Sequence, residues 1–406
     1  MGFDQAPAGV TDRVNTAALR APRKGCCPLC GGPAPDPFVD LGTVPANCSS
    51  FKATAAESRN VPAGSIRLAF CPACGYIYNV DFDESVIEYD NTYNNSLNCS
   101  ATFRAFEEDL SAELIERWQL NRGRIVDIGC GKGEFLSLLC RLSNSTGVGF
   151  DPSWSGGPTD AGVQIVPSVY DETTAVEPAD LVCCRHVLEH LEDPVSFAAL
   201  LRRALHAGSG LYIEVPNAGH VLGSDDLWDI IYPHRSYFAA PSLERLITDA
   251  EISVLHTTVS FGGQFLSLYG SATAESSQTA GRDQALAELA GNVRTFASRL
   301  SERIARSAAL VGNLRQAGKV AALWGAGARG VTFLNVVPGA ADVDLVIDSN
   351  PRKAGLHVPG TGQVVVSPDE PALRKADSVI IMNPMYLTEI TDLLRQARSA
   401  AQVVVV

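Results

Sequence analysis

The sequence predicts an α/β protein in which a doubly wound parallel sheet lies between a small cysteine-rich domain and a second, smaller α/β domain. Three observations lead to this prediction. Two Cys-Pro-x-Cys pairs stand near the N-terminus, apolar strand-like runs alternate with amphipathic stretches from about residue 84 to 275, and the same alternation returns after residue 317. Strands that are buried on both faces read as continuous apolar runs, so each alternating block is typical of a parallel sheet covered by helices.

Composition favours a globular protein with a small-molecule ligand. The 406 residues are 46% hydrophobic and 19% charged, and no apolar run approaches the ~20 residues that a membrane span needs. The net charge of -13 would repel a phosphate backbone, which argues against nucleic acid as a partner. The first residues include acids and lack the apolar core of a secretory signal. We therefore expect a cytoplasmic protein, in which paired cysteines hold metal more often than they form disulfides.

The four paired cysteines predict a structural zinc site within a domain spanning residues 25–83, after a flexible tail of residues 1–24. The pairs are Cys27 with Cys30 and Cys71 with Cys74. Each pair places two thiolates on one turn, and two such turns close a tetrahedral four-sulfur shell around Zn²⁺. A redox dithiol is the alternative, but such a pair opens a helix of a thioredoxin-like unit, and neither pair has that context. Cys26 and Cys48 are expected to lie outside the shell.

A glycine-rich loop follows the first strand of the central block, in "VDIGCGKGEFL". Its glycines are Gly129, Gly131 and Gly133. A dinucleotide fingerprint has its third glycine three residues after the second, whereas here it follows at two, with Asp127 at the strand end. This loop resembles motif I of the class I S-adenosylmethionine (SAM) methyltransferases. Asp151 ends the next strand, where a carboxylate can bind both ribose hydroxyls. The resemblance implies that these residues bind SAM within a domain spanning residues 84–275.

The segment "ADLVCCRHVLEHL" follows the strand on the adenine side and carries His186, Glu189 and His190. Class I methyltransferases usually place cofactor and substrate contacts just after this strand. The resemblance therefore assigns His186 to the cofactor and His190 to the substrate side of the site. The alternative is that these histidines are structural residues with satisfied ring nitrogens.

The order of motifs along the chain resembles that of the three-domain sugar C-methyltransferases, which methylate the carbon next to the ketone of nucleotide-linked 4-keto sugars. His234 in "DIIYPHRSYF" falls on the catalytic histidine of that family. Pro233 stands where the family has glutamate, and Phe261 where sugar enzymes can carry histidine. The resemblance further implies roles for His190 and for an N-terminal tyrosine, for which Tyr93 is the candidate.

The chemistry of carbon methylation explains these residue types. Carbon attacks a methyl donor only after a proton alpha to a carbonyl is removed, and a histidine with a pKa near ~6.5 can accept that proton. The enolate oxygen then needs hydrogen-bond donors, for which Tyr232, Tyr237 and His190 are candidates. Transfer to oxygen or nitrogen of another small molecule needs only a base and proximity, and stays open, as does a non-catalytic SAM- or nucleotide-binding protein.

The C-terminal third begins with apolar spacings of three and four over residues 276–317, which predict a linking helix. Within residues 318–406, a full G-x-G-x-x-G pattern follows a predicted strand, and Asp348 follows the next strand. This combination predicts a Rossmann-like domain. The glycines of that pattern are Gly325, Gly327 and Gly330. The resemblance favours a domain that helps to hold the substrate nucleotide, and NAD binding is the alternative. Arg352 and Lys353 are either phosphate contacts or solvated cations.

Overall fold

The computed structural model describes residues 25–87, 97–174, 178–224, 227–273, 281–369 and 371–406. The strands in chain order are β1 (Pro37–Pro45), β2 (Ala63–Phe70), β3 (Ile77–Asn79), β4 (Arg124–Ile128), β5 (Thr146–Phe150), β6 (Val163–Val166), β7 (Ala179–Arg185), β8 (Leu205–Pro216), β9 (Ser236–Tyr237), β10 (Ser253–Ser260), β11 (Phe265–Ser271), β12 (Ala321–Trp324), β13 (Leu345–Ile347), β14 (Val365–Val366), β15 (Ser378–Ile381) and β16 (Gln402–Val405). The α-helices are α1 (Ala55–Arg59), α2 (Ala101–Trp118), α3 (Glu134–Ser143), α4 (Pro194–Arg203), α5 (Ala218–Gly223), α6 (Ala240–Asp249), α7 (Arg282–Gln316), α8 (Ala328–Val336) and α9 (Leu387–Gln396).

The central sheet has seven strands in the order β10-β11-β8-β7-β4-β5-β6. Its β4 to β8 strands run parallel, and β11 lies antiparallel to β8. Val126 and Leu181 are fully buried in adjacent strands, as expected for a sheet covered on both faces. The predicted doubly wound sheet is therefore confirmed. The strand order reverses between β4 and β7, and in such sheets the ligand crevice opens there, at the carboxyl ends of the strands.

The C-terminal sheet has five parallel strands in the order β14-β13-β12-β15-β16. Its order reverses between β12 and β15, so a second crevice lies beyond the glycine loop that precedes α8. The long helix α7 leads into this sheet. Leu289, Phe296 and Leu300 on α7 are buried against the apolar residues of β1 and β2. Burial of this stripe, in addition to helix propensity, stabilises a helix that would otherwise be exposed on all sides.

The N-terminal sheet takes its last strand from a distant part of the chain. Its order is β1-β2-β3-β9, and β9 lies in the segment that the sequence assigns to the central domain. Ile77 pairs with Tyr237 and Tyr78 with Ser236, while Asn79 N donates to the carbonyl of Arg235 at 3.0 Å. A two-residue strand has no periodicity to reveal it in the sequence. The residues around His234 are therefore held by the cysteine-rich module.

Polar contacts join the C-terminal domain to the central one. They link Arg329 on α8 with Asp229, Asn383 after β15 with Gln264 before β11, and Glu389 on α9 with Ser100 before α2. Gln264 and Asn383 exchange two amide hydrogen bonds of 3.0 Å. Glu389 accepts the Ser100 hydroxyl at 2.6 Å. These contacts bring the second sheet up to the crevice of the first.

Among the described residues, no helix combines the length and apolar character required to cross a bilayer.

We expect Arg329→Met to weaken the attachment of the C-terminal domain. Arg329 Nε donates to Asp229 Oδ1 at 2.9 Å and Nη2 donates to Oδ2, and both side chains are largely buried, at 9% and 22% exposure. Losing both hydrogen bonds leaves the Asp229 carboxylate without its partner. We expect the free energy of unfolding to fall by about 1 to 3 kcal/mol, which lies between the values for exposed and buried ion pairs. Denaturant unfolding measures the change. Arg395→Met, which removes an exposed arginine of α9, should change stability little, and equal effects of the two substitutions would contradict this prediction.

Candidate active site

The glycine loop of the central domain is shaped to receive a ligand. Gly129, Gly131 and Gly133 all have left-handed φ angles of 74°, 57° and 74°, which side chains rarely adopt. A Cβ on Gly129 would lie 2.0 Å from Val187 Cγ2, whereas a Cβ on Gly131 would meet nothing within 4 Å. The loop is thus packed on one side and open at Gly131, where a ligand can approach the backbone.

Asp151 lies at the end of β5 and holds this loop. Its Oδ2 accepts a hydrogen bond from Gly131 N at 2.8 Å, and its Oδ1 accepts one from Ser153 N at 2.8 Å. Oδ1 also accepts the Ser153 hydroxyl at 2.5 Å, whereas Oδ2 keeps a lone pair that can accept from a ligand hydroxyl. The structure thus joins Asp151 directly to the glycine loop, and its predicted contact with the ribose stays a prediction.

Asp127 lies beneath the loop and is 3% exposed. Burial raises the pKa of its carboxyl to about 7, the positive charge of Arg185 opposes that shift, and the charges of Glu107 and Asp151 add to it. A cation bound beside Asp127 would favour the ionised carboxylate. This environment fits a ligand with a positively charged group, as SAM has.

A buried ion-pair network closes the crevice at the end of β7. The Arg185 guanidinium lies 2.9 Å from Glu107 Oε1 and 3.0 Å from Glu214 Oε1, and it covers the ring of Phe135 at 4.1 Å. Glu214 is fully buried and also accepts the Tyr212 hydroxyl at 2.7 Å. One arginine thus holds two carboxylates from different elements in place.

His186 follows Arg185 with a left-handed φ of 54°. Its Nε2 lies 3.2 Å from Glu214 Oε1 and its Nδ1 lies 3.6 Å from Glu189 Oε1. Burial alone would lower the pKa of His186, but the two carboxylates outweigh it and raise the pKa to about 9. The ring is thus positively charged at neutral pH. Both nitrogens face carboxylates of the chain itself, so His186 offers a ligand its charge more readily than a free hydrogen bond.

His190 and His234, assigned to catalysis from the sequence, lie side by side with ring centroids 5.1 Å apart. His190 Nδ1 is 2.8 Å from the carbonyl oxygen of Pro233. A carbonyl only accepts hydrogen bonds, so His190 Nδ1 donates its proton to the Pro233 carbonyl. His190 therefore fixes the backbone next to His234.

His234 provides a neutral imidazole in this arrangement. Its Nδ1 is inaccessible to solvent and has no hydrogen-bond partner. Burial lowers the pKa of His234 to about 3, His190 and His186 lower it as well, and the charge of Glu189 opposes the shift. The ring is consequently unprotonated at neutral pH and able to accept a proton.

The sequence does not assign a function to Glu189, which the structure places at the centre of the histidines. It lies on the 3₁₀ turn Leu188–His190 and is 1% exposed, with no hydrogen-bond partner at either carboxylate oxygen. Ligand atoms of Glu189, His190 and His234 lie within 4.8 Å of one another. The sequence did contain one indication of a role for Glu189. This residue directly precedes His190, whereas the residue that precedes His234 is Pro233, which has no carboxylate.

The two tyrosines of the segment do not provide the predicted hydroxyl donors. The hydroxyl of Tyr232 donates to the carbonyl of Asp83 at 3.0 Å and accepts from its amide at 2.7 Å, and that of Tyr237 donates to the carbonyl of Ile231 at 2.9 Å. Both rings are buried. Because these hydroxyls are already used by backbone groups, we correct their role to holding the segment. Tyr93 lies outside the described residues.

Phe261, singled out in the sequence before Gly262, belongs to an aromatic wall. Its φ is 46° and its ring is stacked on Phe265 at 5.1 Å. Phe103 meets it edge-on at 5.6 Å, and Tyr386 of the C-terminal domain lies 5.9 Å away. The wall is apolar where a histidine would have offered a hydrogen bond.

The four paired cysteines converge into one cluster. Cys27 Sγ lies 3.7 Å from Cys74 Sγ, and Cys30 Sγ lies 3.6 Å from Cys71 Sγ. A tetrahedral shell with Zn–S bonds of about 2.3 Å has sulfur–sulfur edges of about 3.8 Å, so the spacing is compatible with zinc. All eleven cysteines are free of disulfides, and Cys26 and Cys48 lie outside the cluster.

The glycine loop of the C-terminal domain is held by its own polar groups. Asp348 Oδ2 accepts from Ala326 N at 2.9 Å and from Lys353 Nζ at 3.1 Å. Lys353 also donates to the carbonyl of Ala326 at 2.9 Å. The Asp348 carboxylate is thus paired with a lysine, and Lys353 is not a solvated cation.

Two family models match the chain. Residues 102–257 match a model described as a methyltransferase domain, in the part of the chain that contains the glycine loop and Asp151. Together, the fold, this loop and the match define the class of protein: a SAM-dependent methyltransferase. Residues 273–406 match a model described as the C-methyltransferase C-terminal domain. The chain thus joins a methyltransferase domain to the C-terminal domain of C-methyltransferases.

Individual relatives are more distant. The tRNA U34 carboxymethyltransferase of Dichelobacter nodosus (strain VCS1703A) is 32% identical over 100 residues, which are 22% of this chain and 32% of that protein. The alignment therefore spans about a third of the curated relative. Among solved structures, the PH0226 protein of Pyrococcus horikoshii OT3 is 15% identical, with a TM-score of 0.36, over 46% of this chain and 100% of that one. Magnesium protoporphyrin IX methyltransferase of Synechocystis PCC 6803 is 15% identical, with a TM-score of 0.35, over 46% of this chain and 90% of that one.

We expect Asp127→Asn to flatten the pH dependence of stability in the ligand-free protein. The pKa of Asp127 is raised from 3.8 to about 7 in the folded chain, so in that interval unfolding releases its proton. Stability from this group is complete below about pH 4 and is lost as the pH rises to about 7, by about 1.4 kcal/mol per pH unit. Denaturant unfolding between pH 4.5 and 7.5 measures the slope. Asp160→Asn, at an exposed carboxylate, should leave it unchanged, and the prediction is wrong if the two variants have equal slopes.

Proposed function

We propose that this protein is a SAM-dependent C-methyltransferase that acts on the carbon alpha to a ketone, in a nucleotide-linked keto-sugar or a similar carbonyl compound. The observation that carries the proposal is the neutral His234, which lies beside His190 and Glu189 with an unpartnered, buried Nδ1. Methyl transfer to carbon requires a base that can remove a proton from carbon. The C-methyltransferase C-terminal domain in the same chain supports the same reaction type.

The residues that would hold SAM are the loop glycines with Asp127 below them and Asp151 beside them. When bound, SAM supplies a methyl group on a positively charged sulfur. Gly131 offers the open approach, and Asp151 offers a lone pair to a ribose hydroxyl. Asp127 supplies a carboxyl group that a neighbouring cation would ionise.

His234 begins the proposed reaction by taking the proton from the carbon alpha to the ketone. The C–H bond breaks, an N–H bond forms on the imidazole, and the electron pair remains in the enolate. The enolate carbon would then attack the methyl group of bound SAM. The methyl–sulfur bond would break with its electron pair left on the sulfur, giving S-adenosylhomocysteine, and the ketone would return as the new C–C bond forms. The positive charge of His186 contributes to a site in which developing negative charge is stabilised.

We propose that residues 318–406 help to hold the nucleotide end of the substrate. The contacts of Arg329 and Asn383 with the central domain support this role, because Arg329, just after the second glycine loop begins, binds Asp229 in the segment that carries His234. A redox role is less favoured, since Asp348 is already paired with Lys353. The division of the chain at residues 25–83, 84–275, 276–317 and 318–406 is part of the same proposal.

The cysteine cluster is proposed to hold a structural Zn²⁺. Its sulfur–sulfur distances of 3.6 and 3.7 Å support a closed four-thiolate shell without an open position for a substrate. We also propose a cytoplasmic location, because a thiolate shell and the remaining free cysteines need a reducing compartment.

A second candidate function is methylation of oxygen or nitrogen on another small molecule. The low pKa of His234, about 3, and the absence of a carboxylate at Pro233 favour it, since a weak base suffices for an acidic hydroxyl. Proton exchange at carbon separates the two candidates.

We expect His234→Gln to abolish turnover while leaving cofactor binding intact. The substitution removes the proton acceptor, and loss of a general base typically lowers the rate by about 10² to 10⁴-fold. Deuterium exchange at the carbon alpha to the ketone of a thymidine-diphosphate-linked 4-keto-6-deoxy sugar measures the first step, and calorimetry with S-adenosylhomocysteine measures binding. His206→Gln, at an exposed histidine, is the control. Undiminished exchange in His234→Gln would refute the proposed base, and methyl transfer without any exchange in the wild type would favour the second candidate.

We expect the double variant Cys27→Ser, Cys30→Ser to lose about one zinc per chain and most of its activity. The activity falls because β3, just after Cys74, pairs with the strand that follows His234. Metal analysis by mass spectrometry measures the zinc, and calorimetry with S-adenosylhomocysteine shows whether the central domain remains folded. Cys26→Ser should retain the metal, because Cys26 lies outside the cluster. A double variant that retains its full zinc content would be incompatible with the assigned shell.

A further inference from the structure

We infer that Glu189 is the positioning residue for the base His234, and supplies from the turn after β7 the carboxylate that the catalytic segment lacks at Pro233. The inference rests on the proposed function, because it concerns the proton transfer to His234. It adds to the proposed function a carboxylate that lies on the turn Leu188–His190, apart from the segment that carries His234.

The burial of Glu189 is the first observation. The side chain is 2% exposed, and neither carboxylate oxygen accepts a hydrogen bond. Burying a carboxylate without hydrogen bonds is costly, so such a group is retained where its charge serves a purpose. In this protein the charge lies among three histidines.

The groups that face Glu189 come from three places in the chain. His186 and His190 stand on either side of it in sequence, and His234 approaches from the segment before β9. The thiol of Cys184, at the end of β7, also lies close enough to be affected by the Glu189 charge. On the outer side, Arg235 next to His234 lies 3.4 Å from Glu192.

The distance between Glu189 and His234 defines how they interact. Their ligand atoms lie within 4.8 Å, yet no hydrogen bond joins them, and His234 Nδ1 is buried without a partner. Charges at this separation interact strongly when water is excluded, and a single bridging water can also span the gap. The carboxylate thus acts on the imidazole through its charge.

The charge of Glu189 counts when His234 takes the proton. The C–H bond of the substrate breaks, the new N–H bond makes His234 an imidazolium, and the electron pair stays on the enolate. An imidazolium in this buried position is unfavourable by itself, and the negative charge of Glu189, within 4.8 Å of the ring nitrogen, opposes that penalty and stabilises the imidazolium as it forms. His190 contributes by holding the carbonyl of Pro233, which fixes the ring position.

The test replaces Glu189 with its neutral isostere. We expect Glu189→Gln to lower kcat for methyl transfer and the rate of alpha-deuterium exchange on the keto-sugar probe by about 10- to 100-fold, with KM for SAM changed less than about twofold. Glu192→Gln, on the exposed side of the same turn, is the matched control and should retain wild-type rates.

A rescue variant separates positioning from folding. Pro233→Glu restores a carboxylate next to His234, so adding it to Glu189→Gln should recover at least about tenfold of the lost exchange rate if charge is what was lost. Glu189→Asp keeps the charge and should lie between wild type and Glu189→Gln, which provides the same comparison if Pro233→Glu does not fold.

The outcomes distinguish this inference from the proposed function. Wild-type rates in Glu189→Gln, together with inactive His234→Gln, would overturn the inference and leave the function standing. No exchange by the wild type would reject the function and the inference with it. The zinc content of the wild type and of Glu189→Gln is measured as well. Two zinc ions per chain in the wild type and one in Glu189→Gln would show that Glu189 is a metal ligand. That result would overturn the inference, because a metal-bound His234 could not act as the base.

Discussion

The pairing of β3 with β9 is the constraint on which the site depends. Strand β3 begins three residues after Cys74, and β9 begins two residues after His234, so one short ladder links the cysteine cluster to the imidazole. His190 completes the arrangement from the opposite side, through its hydrogen bond to the carbonyl of Pro233. The position of His234 thus follows from two backbone contacts made by different domains, which explains how a loop residue can be held firmly enough for chemistry.

Electrostatics then gives two of the histidines opposite pKa shifts. His186 faces two carboxylates and is held positively charged, whereas His234 is buried next to another ring and is held neutral. Two groups of the same type with opposite pKa shifts are the usual sign of an acid or cationic partner and a base in one site. Arg185 pairs with the Glu107 and Glu214 carboxylates and offsets part of the negative charge on the same side of the site.

Local spacing in the sequence was enough to predict the doubly wound sheet and the convergence of the four cysteines. The glycine loop and Asp151 were also recognisable, because close neighbours in the chain form them. Tyr232 and Tyr237 were assigned a role that their hydroxyls cannot perform, since their backbone partners become visible only in three dimensions. Glu189 was noted beside His190 but was given no role, because its burial comes from elements far apart in the sequence.

Strand β9, which completes the N-terminal sheet from a distant part of the chain, affects how the protein folds during synthesis and how its domains can recombine. Tyr76 and Ser236, whose hydroxyls meet across the β3–β9 pair, are 160 residues apart. On the ribosome the cysteine turns can form early, but the edge of β3 stays unpaired until the central domain has emerged, and an open edge is where chains misassociate. For the same reason, residues 25–83 could not be transferred alone to another protein by recombination. The transferred piece would lack β9, the strand that completes its sheet.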